Sequence, residues 1–388
     1  MIALTKETSL GLYVHFPWCV RKCPYCDFNS HPLNQELPEE EYVGALISDW
    51  QAQRSHPSNK TKLNRKISSV FFGGGTPSLF SPTSFARLIE EFADELTEDA
   101  ELTMEANPGT LEYGNLAQYR AAGINRLSMG VQSFDDSALQ TLGRIHSATE
   151  ARAAIEAAKL GGFKNINVDL MHGLPNQTAK AALDDLQSAI ALNVQHISWY
   201  QLTIEPRTEF AKRPPQLPEE EILGEIESEG LELLANAGFD RYEISAYAKH
   251  GKQSKHNRNY WEFGDYLGLG AGAHGKLTQL DAGSLGVTRT AHPRQPRLYL
   301  QQASNNNWQL ESQIVAPDQL PAEFMMNALR LVGGVEEKLY EQTTGQPLKK
   351  IEKQLTRWRG MGVIDSERLA LTPMGLNVLD TVVADFLD

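Results

Sequence analysis

Along the first half of the chain, short runs rich in apolar and β-branched residues alternate with longer stretches in which apolar positions recur every three or four residues. The short runs predict strands at residues 11–16, 67–72, 101–105, 126–131, 165–171 and 196–203. The longer ones predict helices at 39–53, 82–96, 111–122, 135–142 with 148–160, and 179–192, two of which end at a glycine, Gly123 and Gly161. Alternation of this kind builds a parallel sheet through right-handed crossovers. Six such units are too few for a closed eight-stranded barrel. The predicted fold class is α/β, a partial (β/α)6 TIM-like barrel.

The pattern changes after Arg207. Lys212-Arg213-Pro214-Pro215 and Pro218 interrupt the alternation, and an acidic helix is predicted over 219–237. Residues 239–275 are aromatic and Gly-rich. Beyond Pro293 the chain reads as mostly helical, ending in a helix, two short strands around 365–368 and a helix capped near Thr372-Pro373, an order that is winged-helix-like. These breaks divide the chain into a barrel at 1–215, a helical and aromatic extension at 216–292, and a mainly α-helical, winged-helix-like C-terminal domain at 293–388.

Composition narrows the function classes. No apolar run approaches the ~20 residues of a membrane helix, and Met1 to Leu10 lacks the apolar core of a secretory signal, so a cytoplasmic location is expected. The 49 acidic residues outnumber the 36 basic ones, for a formal net charge of −13. Nucleic-acid binders concentrate basic charge to displace counterions. Here the one basic cluster, Lys349, Lys350, Lys353, Arg357 and Arg359, is interleaved with apolar residues, as on the solvated face of an amphipathic helix. Nucleic acid is excluded as a partner.

The 3 cysteines all lie in Trp18-Cys19-Val20-Arg21-Lys22-Cys23-Pro24-Tyr25-Cys26, directly after the first predicted strand. An odd number this closely spaced makes a poor disulfide framework and suits thiols reserved for metal. Two metal readings stand. Zinc needs a fourth ligand, which His31 could supply. Three thiolates from one loop can instead hold a 4Fe–4S cluster and leave one iron open to an exogenous donor. Further along, the second predicted strand runs into Gly73-Gly74-Gly75-Thr76-Pro77, where backbone without Cβ atoms can approach a ligand. Glu105, Gln132 and Asp169 stand at or near the ends of the next three strands, which converge on the mouth where such barrels place their ligands.

The CxxxCxxC spacing after the first strand resembles the signature of the radical SAM superfamily. The resemblance implies that S-adenosylmethionine (SAM) chelates the open iron and that an electron from the cluster cleaves it to a 5′-deoxyadenosyl radical. It is closest to the coproporphyrinogen dehydrogenase-like branch and covers nearly the whole chain. In that branch the residue six before the first cysteine and the aromatic before the third bind SAM, which carries over to Tyr13 and Tyr25. The triple-Gly loop carries over to Gly74, Gly75 and Thr76. The strand-end residues carry over to Glu105, Gln132 and Asp169, and Leu142-Gly143-Arg144-Ile145-His146 supplies Arg144 as the SAM-contacting arginine, suited to grip a carboxylate in a fork.

Within that branch two roles compete. Oxygen-independent coproporphyrinogen III dehydrogenases oxidatively decarboxylate porphyrinogen propionates and carry a fourth cysteine two residues after the third. This sequence has Phe28 there. That variant, the short leader before Leu12 and the stretch His256-Asn257-Arg258-Asn259-Tyr260-Trp261 resemble the HemW-type heme chaperones instead. The resemblance implies three cofactors, a 4Fe–4S cluster, SAM and heme. It also implies a reductant for the cluster and a heme-accepting partner protein. His256 is the expected heme ligand, imidazole being the commonest protein ligand of heme iron. His250, His274 and His292 are further histidines in the same region.

Overall fold

A computed structural model of the protein describes residues 10–55, 65–111, 113–281 and 284–387. The residues before Leu10, on which the expected absence of a secretory signal and the short leader rest, lie outside that set. Six parallel strands follow in chain order: β1 Leu10–Phe16, β2 Ile67–Gly74, β3 Leu96–Ala106, β4 Arg126–Gln132, β5 Ile166–His172 and β6 His196–Gln201. The crossovers carry α1 Glu39–Ser55, α2 Pro82–Phe92, α3 Leu116–Ala121, α4 Asp136–Thr141, α5 Ala148–Leu160 and α6 Ala179–Ala191, and the short α7 Glu209–Lys212 follows β6. This is the partial barrel expected.

Alternation within each strand explains which face is which. In β1, Leu10, Leu12, Val14 and Phe16 are buried toward the helices, where Phe16 meets Tyr42 of α1 and Phe85 of α2. Gly11, Tyr13 and His15 face the barrel interior. Caps locate the helix starts: Ser81, Ser147 and Thr178 each accept a backbone N–H at the head of α2, α5 and α6, Ser147 completing a capping box with Glu150.

Two features depart from the predicted layout. The helix expected to reach residue 96 stops at Phe92, and Leu96 opens an eleven-residue β3, because the polar stretch 97–99 continues the strand beyond the sheet's buried part. More consequentially, the region expected as a helical and aromatic extension carries five strands besides α8 Glu220–Asn236 and α9 Lys255–Trp261: β7 Asp240–Glu243, β8 Ala246–Ala248, β9 Asp265–Leu269, β10 His274–Asp281 and β11 Ser284–Ala291. With β12 Glu311–Ile314 they join the barrel sheet, in the order β12-β11-β10-β9-β1-β2-β3-β4-β5-β6-β8-β7. β9 pairs parallel with β1, making a seventh parallel strand. Its Leu-Gly-Leu-Gly texture hides the strand pattern, but Gly268 is required: a Cβ there would lie 2.2 Å from the His274 carbonyl oxygen.

α9 is turned inward. Its N-cap Ser254 accepts from Asn257 N, and the Lys255 N–H donates to Glu101 on β3 at 2.9 Å. The helix packs on the inner faces of β1 and β2 and fills the barrel end opposite the cysteine loop. After β11, α10 Pro296–Ser304 packs on α1, its Tyr299 hydroxyl donating to Asp49 at 2.8 Å. The C-terminal part comprises α11 Leu320–Ala328, α12 Glu337–Thr344 and α13 Glu352–Gly360, with β13 Val335–Glu336 paired to β14 Arg368–Leu369 and a bridge from Ile364 to Leu371. Three helices and a small wing give the winged-helix-like arrangement expected. Its core is shared with the barrel: Phe324 packs edge-on against Phe263, and Tyr242, Ala246 and Val287 belong to the same buried cluster.

Candidate functional site

The three cysteines sit on the loop leaving β1, which is tied down at both ends. Residues Trp18–Cys19 pair with His31–Pro32, Leu33 N donates to the Cys19 carbonyl at 2.8 Å, and Lys22 Nζ donates to the carbonyls of Phe28 and Ser30. Cys19, Cys23 and Cys26 are free and half-buried, and all three line a cavity of about 530 Å³ at the C-terminal ends of the parallel strands. Burial holds the Cys19 and Cys26 thiols above the usual thiol range. Among the described residues no three His, Cys, Asp or Glu side chains are gathered tightly enough for a single metal ion. His31 is turned to the Arg294 carbonyl instead. The mononuclear zinc reading does not fit this arrangement, whereas a cluster in which each thiolate takes its own iron does.

Strand ends supply the rest of the cavity wall. Gly74 has φ +113°, and its N–H donates to Glu105 Oε2 at 2.9 Å. A Cβ on Gly74 would strike the His15 ring, and one on Gly75 would lie 2.5 Å from the Trp18 carbonyl oxygen. The glycines therefore let the loop after β2 pass directly under the cysteine loop. Thr76 stands beside the Cys19 thiol on the cavity wall. Gln132 has φ +72° at a bulge that ends β4, and its Oε1 accepts from Tyr200 on β6 at 2.9 Å. Arg144 lies behind the loop, Nη1 3.6 Å from Cys23 Sγ and Nη2 2.5 Å from the Gly130 carbonyl, with Tyr25 beside it.

Glu105 and Asp169 face each other across this space. Burial, and then the neighbouring Asp169, push Glu105 up to about 8. Asp169 is also raised by burial, against hydrogen bonds from Asn167 and Ser128 that favour its charged form. Asn167 continues the network to His196 at 2.6 Å and His196 to Tyr242 at 2.9 Å. Two buried carboxyl groups whose charged forms are disfavoured in a closed space suit a cationic guest, which would supply the missing positive charge.

Cys19, Cys23, Cys26, Tyr25, Gly74, Gly75, Thr76, Glu105, Gln132, Arg144 and Asp169 all line this one cavity. Two predicted residues do not. Tyr13 lines a second cavity of about 450 Å³ beside the first, where its hydroxyl donates to His15 Nδ1 at 2.9 Å while His15 Nε2 donates to the Asn29 carbonyl. His256, expected as a heme ligand, lines neither. It lies on the inward face of α9, 4% exposed, stacked on Phe71 at 4.4 Å and edge-on to Tyr260 at 4.5 Å. Burial, with Arg126 nearby, lowers its pKa to about 3, and its Nδ1 has no partner. Tyr13, Phe71 and Tyr260 pack around its ring. The sequence shows His256 near aromatic residues but not that they bury it.

Sequence reading missed Ser128, Asn167 and Tyr200, polar residues on the inner face of predicted strands, where alternation alone marks them. It also missed the second cavity, whose walls come from β1, α9, the β9–β10 turn and the segment after β11. Phe28, Gly74 and Glu105 line both cavities.

Comparison with known proteins adds an independent line. The model of the radical SAM superfamily matches residues 13–189, and that of the HemN C-terminal domain matches 315–378. The chain is 49% identical to the heme chaperone HemW of Haemophilus influenzae over 91% of this chain and 90% of that one. It is 44% identical to the HemW of Escherichia coli over 99% and 100%. A mitochondrial radical S-adenosyl methionine domain-containing protein 1 of Mus musculus is 34% identical over 99% and 88%. In structure, the chain superposes on the radical SAM enzyme coproporphyrinogen III oxidase (HemN) of Escherichia coli with TM-score 0.80 at 23% identity, covering 99% of this chain and 91% of that one.

Proposed function

Because the chain belongs to the radical SAM superfamily and, within it, to the family of the heme chaperone HemW, we propose that it holds a 4Fe–4S cluster, binds SAM beside it and carries heme to an acceptor protein. The observation that carries this reading is the single cavity into which three thiols of one loop and the ends of β2 to β5 converge. Cys19, Cys23 and Cys26 would hold the cluster. When bound, the cluster supplies an open iron position and one-electron reducing power, which a separate reductant must replenish.

Each wall residue has a task toward SAM that follows from its chemistry. The glycines of the 73–75 turn bring backbone N–H and C=O groups close enough to engage an amino acid moiety. Arg144, braced by Gly130, offers a guanidinium to a carboxylate. Glu105 and Asp169 offer oxygens to cationic or hydroxyl groups, and Gln132, held by Tyr200, fixes one side. Tyr25 closes the cavity against Phe210. A reducing compartment such as the cytoplasm suits three thiols reserved for iron. Among the described residues no helix is long and apolar enough to cross a membrane.

Phe28 favours the chaperone over the decarboxylase. Where the dehydrogenase has a fourth thiol, this chain presents an aromatic ring 60% exposed at the border of both cavities. Anaerobic reconstitution with iron and sulfide, followed by SAM, a reductant and either heme or coproporphyrinogen III, tests the assignment. Heme should bind, and coproporphyrinogen III should be recovered unchanged. Release of carbon dioxide in proportion to protein would assign the chain to the dehydrogenases.

A further inference from the structure

Resting on the cluster-holding reading, we infer that Arg144 sets the reduction potential of the cluster by donating a charge-assisted hydrogen bond to the Cys23 sulfur. Its Nη1 stands 3.6 Å from Cys23 Sγ. The other sulfur contacts of the loop are of a different kind. Ser30 reaches Cys26 Sγ at 3.9 Å with a neutral hydroxyl. Lys22, a cation of the same loop, spends its ammonium on the carbonyls of Phe28 and Ser30. Among the described residues no second cation hydrogen-bonds a cysteine sulfur.

The contact is built by short-range structure on three sides. α4 gives way at Gly143, whose φ of +68° is the left-handed cap that glycine adopts without strain. Gly143 N donates to the Gln140 carbonyl, and Arg144 N to the Leu139 carbonyl. A Cβ on Gly143 would lie 2.9 Å from Pro24 Cδ, so this turn rests directly on the residue after Cys23. From the opposite side the Gly130 carbonyl, near the end of β4, accepts from Nη2 at 2.5 Å and holds the guanidinium in place. Arg144 Nε is buried and has no partner. With Nη1 on the sulfur and Nη2 on Gly130, that N–H is left for a carboxylate, and one side chain serves both tasks.

A cation fixed on one thiolate favours the reduced form of an iron–sulfur cluster, because reduction adds a negative charge. Hydrogen bonds to the sulfurs and the local net charge are among the terms that set such potentials. The guanidinium stays charged at every working pH, and in a half-buried setting salt screens it only weakly. Arg144 thus acts through Cys23, making the electron easier for the separate reductant to deliver.

The test is an anaerobic potentiometric titration of the full-length, cluster-loaded protein without SAM, following the paramagnetic signal of the reduced cluster. Arg144→Gln removes the charge and should disfavour the reduced form roughly tenfold, moving the midpoint by about 59 mV to more negative potential. Arg144→Lys keeps the charge but loses the planar fork, and should move it the same way by less. Gly143→Ala retains the guanidinium but forces the turn off Pro24, and should also move it negative. Iron content should stay at the wild-type level in each. A wild-type midpoint in both Arg144→Gln and Gly143→Ala would overturn this role while leaving the cluster assignment standing. Should one of the two fail to take up iron, the loaded one decides alone. A wild-type protein that takes up no 4Fe–4S cluster would overturn the cluster-holding reading itself.

Discussion

Cys23 is the residue whose role is easiest to isolate, because it is tethered by backbone contacts that do not involve its thiol. Its carbonyl accepts from Cys26 N at 3.2 Å, and the loop is otherwise held by Lys22 and the 31–33 segment. Cys23→Ser should keep the fold, read as unchanged far-ultraviolet circular dichroism, and lose the iron and the cluster absorbance, a hydroxyl being a far weaker iron ligand than a thiolate. Four irons per chain in that variant would refute the ligand set. Glu105 makes a different kind of prediction. Its folded pKa of about 8 stands above the ordinary 4.5, so the folded protein holds a proton there that the unfolded chain has released. Stability from this group is therefore full below about pH 4.5 and is lost as pH rises through 8. In the cluster-free protein, Glu105→Gln should raise the melting temperature relative to wild type at about pH 8.5 and much less at about pH 5. A cationic guest reverses the balance. SAM affinity of the cluster-loaded wild type should increase between about pH 6.5 and 8.5, and the variant should show no such slope. Equilibrium binding at the two pH values decides it.

At the scale of elements, α9 does more than fill space. Its cap joins it to Glu101 on β3, and the Asn259 side-chain amide donates to the Asp265 carbonyl at the start of β9 at 2.9 Å. His256 forms the centre of the plug, stacked among Phe71, Tyr13 and Tyr260. His256→Ala should destabilise the protein by about 2–3 kcal/mol through the cavity it leaves. His256→Phe should recover most of that loss, because Nδ1 has no partner to forfeit. Calorimetry on the two variants separates a packing role from ligation: equal destabilisation by both would mean the ring nitrogens matter. The Gly73–Gly75 turn is the other element whose geometry cannot be bargained with. Gly74→Ala combines a left-handed φ with a Cβ 2.4 Å from the His15 ring, so it should weaken SAM binding and disturb the Tyr13–His15 contact together.

Across the whole molecule, the barrel and the C-terminal helices share a core. Phe263 at the end of α9, Val287 on β11 and Tyr242 on β7 are covered by Phe324, Leu331 and their neighbours. Ending the chain after Val315 would expose that apolar surface, so the truncated protein should aggregate or lose cooperative unfolding rather than persist as a free barrel. The intact protein should unfold in one calorimetric transition. Two well-separated transitions would show that the winged-helix-like part is energetically independent. Its charge pattern fits this supporting role. Arg359 bonds to Glu337, and Arg357 to Asp385, within the same small unit.

The order of strands β1 to β6, the helix caps, the cysteine loop and the glycine turn were all legible in the sequence, because each depends on residues within one turn, one strand or one loop. Alternation shows which face of β1 is apolar, and three thiols at CxxxCxxC spacing need no distant partner to form a ligand set. The residues at the ends of β3, β4 and β5 were legible as candidates because a parallel barrel brings strand ends to one mouth whatever its details. What only the tertiary structure decided lies where distant segments meet. β9 is written in glycines and leucines that local propensity reads as loop, and it becomes a strand because the free edge of β1 has unpaired backbone groups to satisfy. The packing of His256 on the inner face of α9, against Phe71, Tyr13 and Tyr260, is likewise set by segments distant in the chain. His274 and Arg294, twenty residues apart, come together only because β10 and β11 fold back as a hairpin onto β9. A side chain's type is local, but whether solvent or a ligand can reach it depends on what the rest of the chain packs around it.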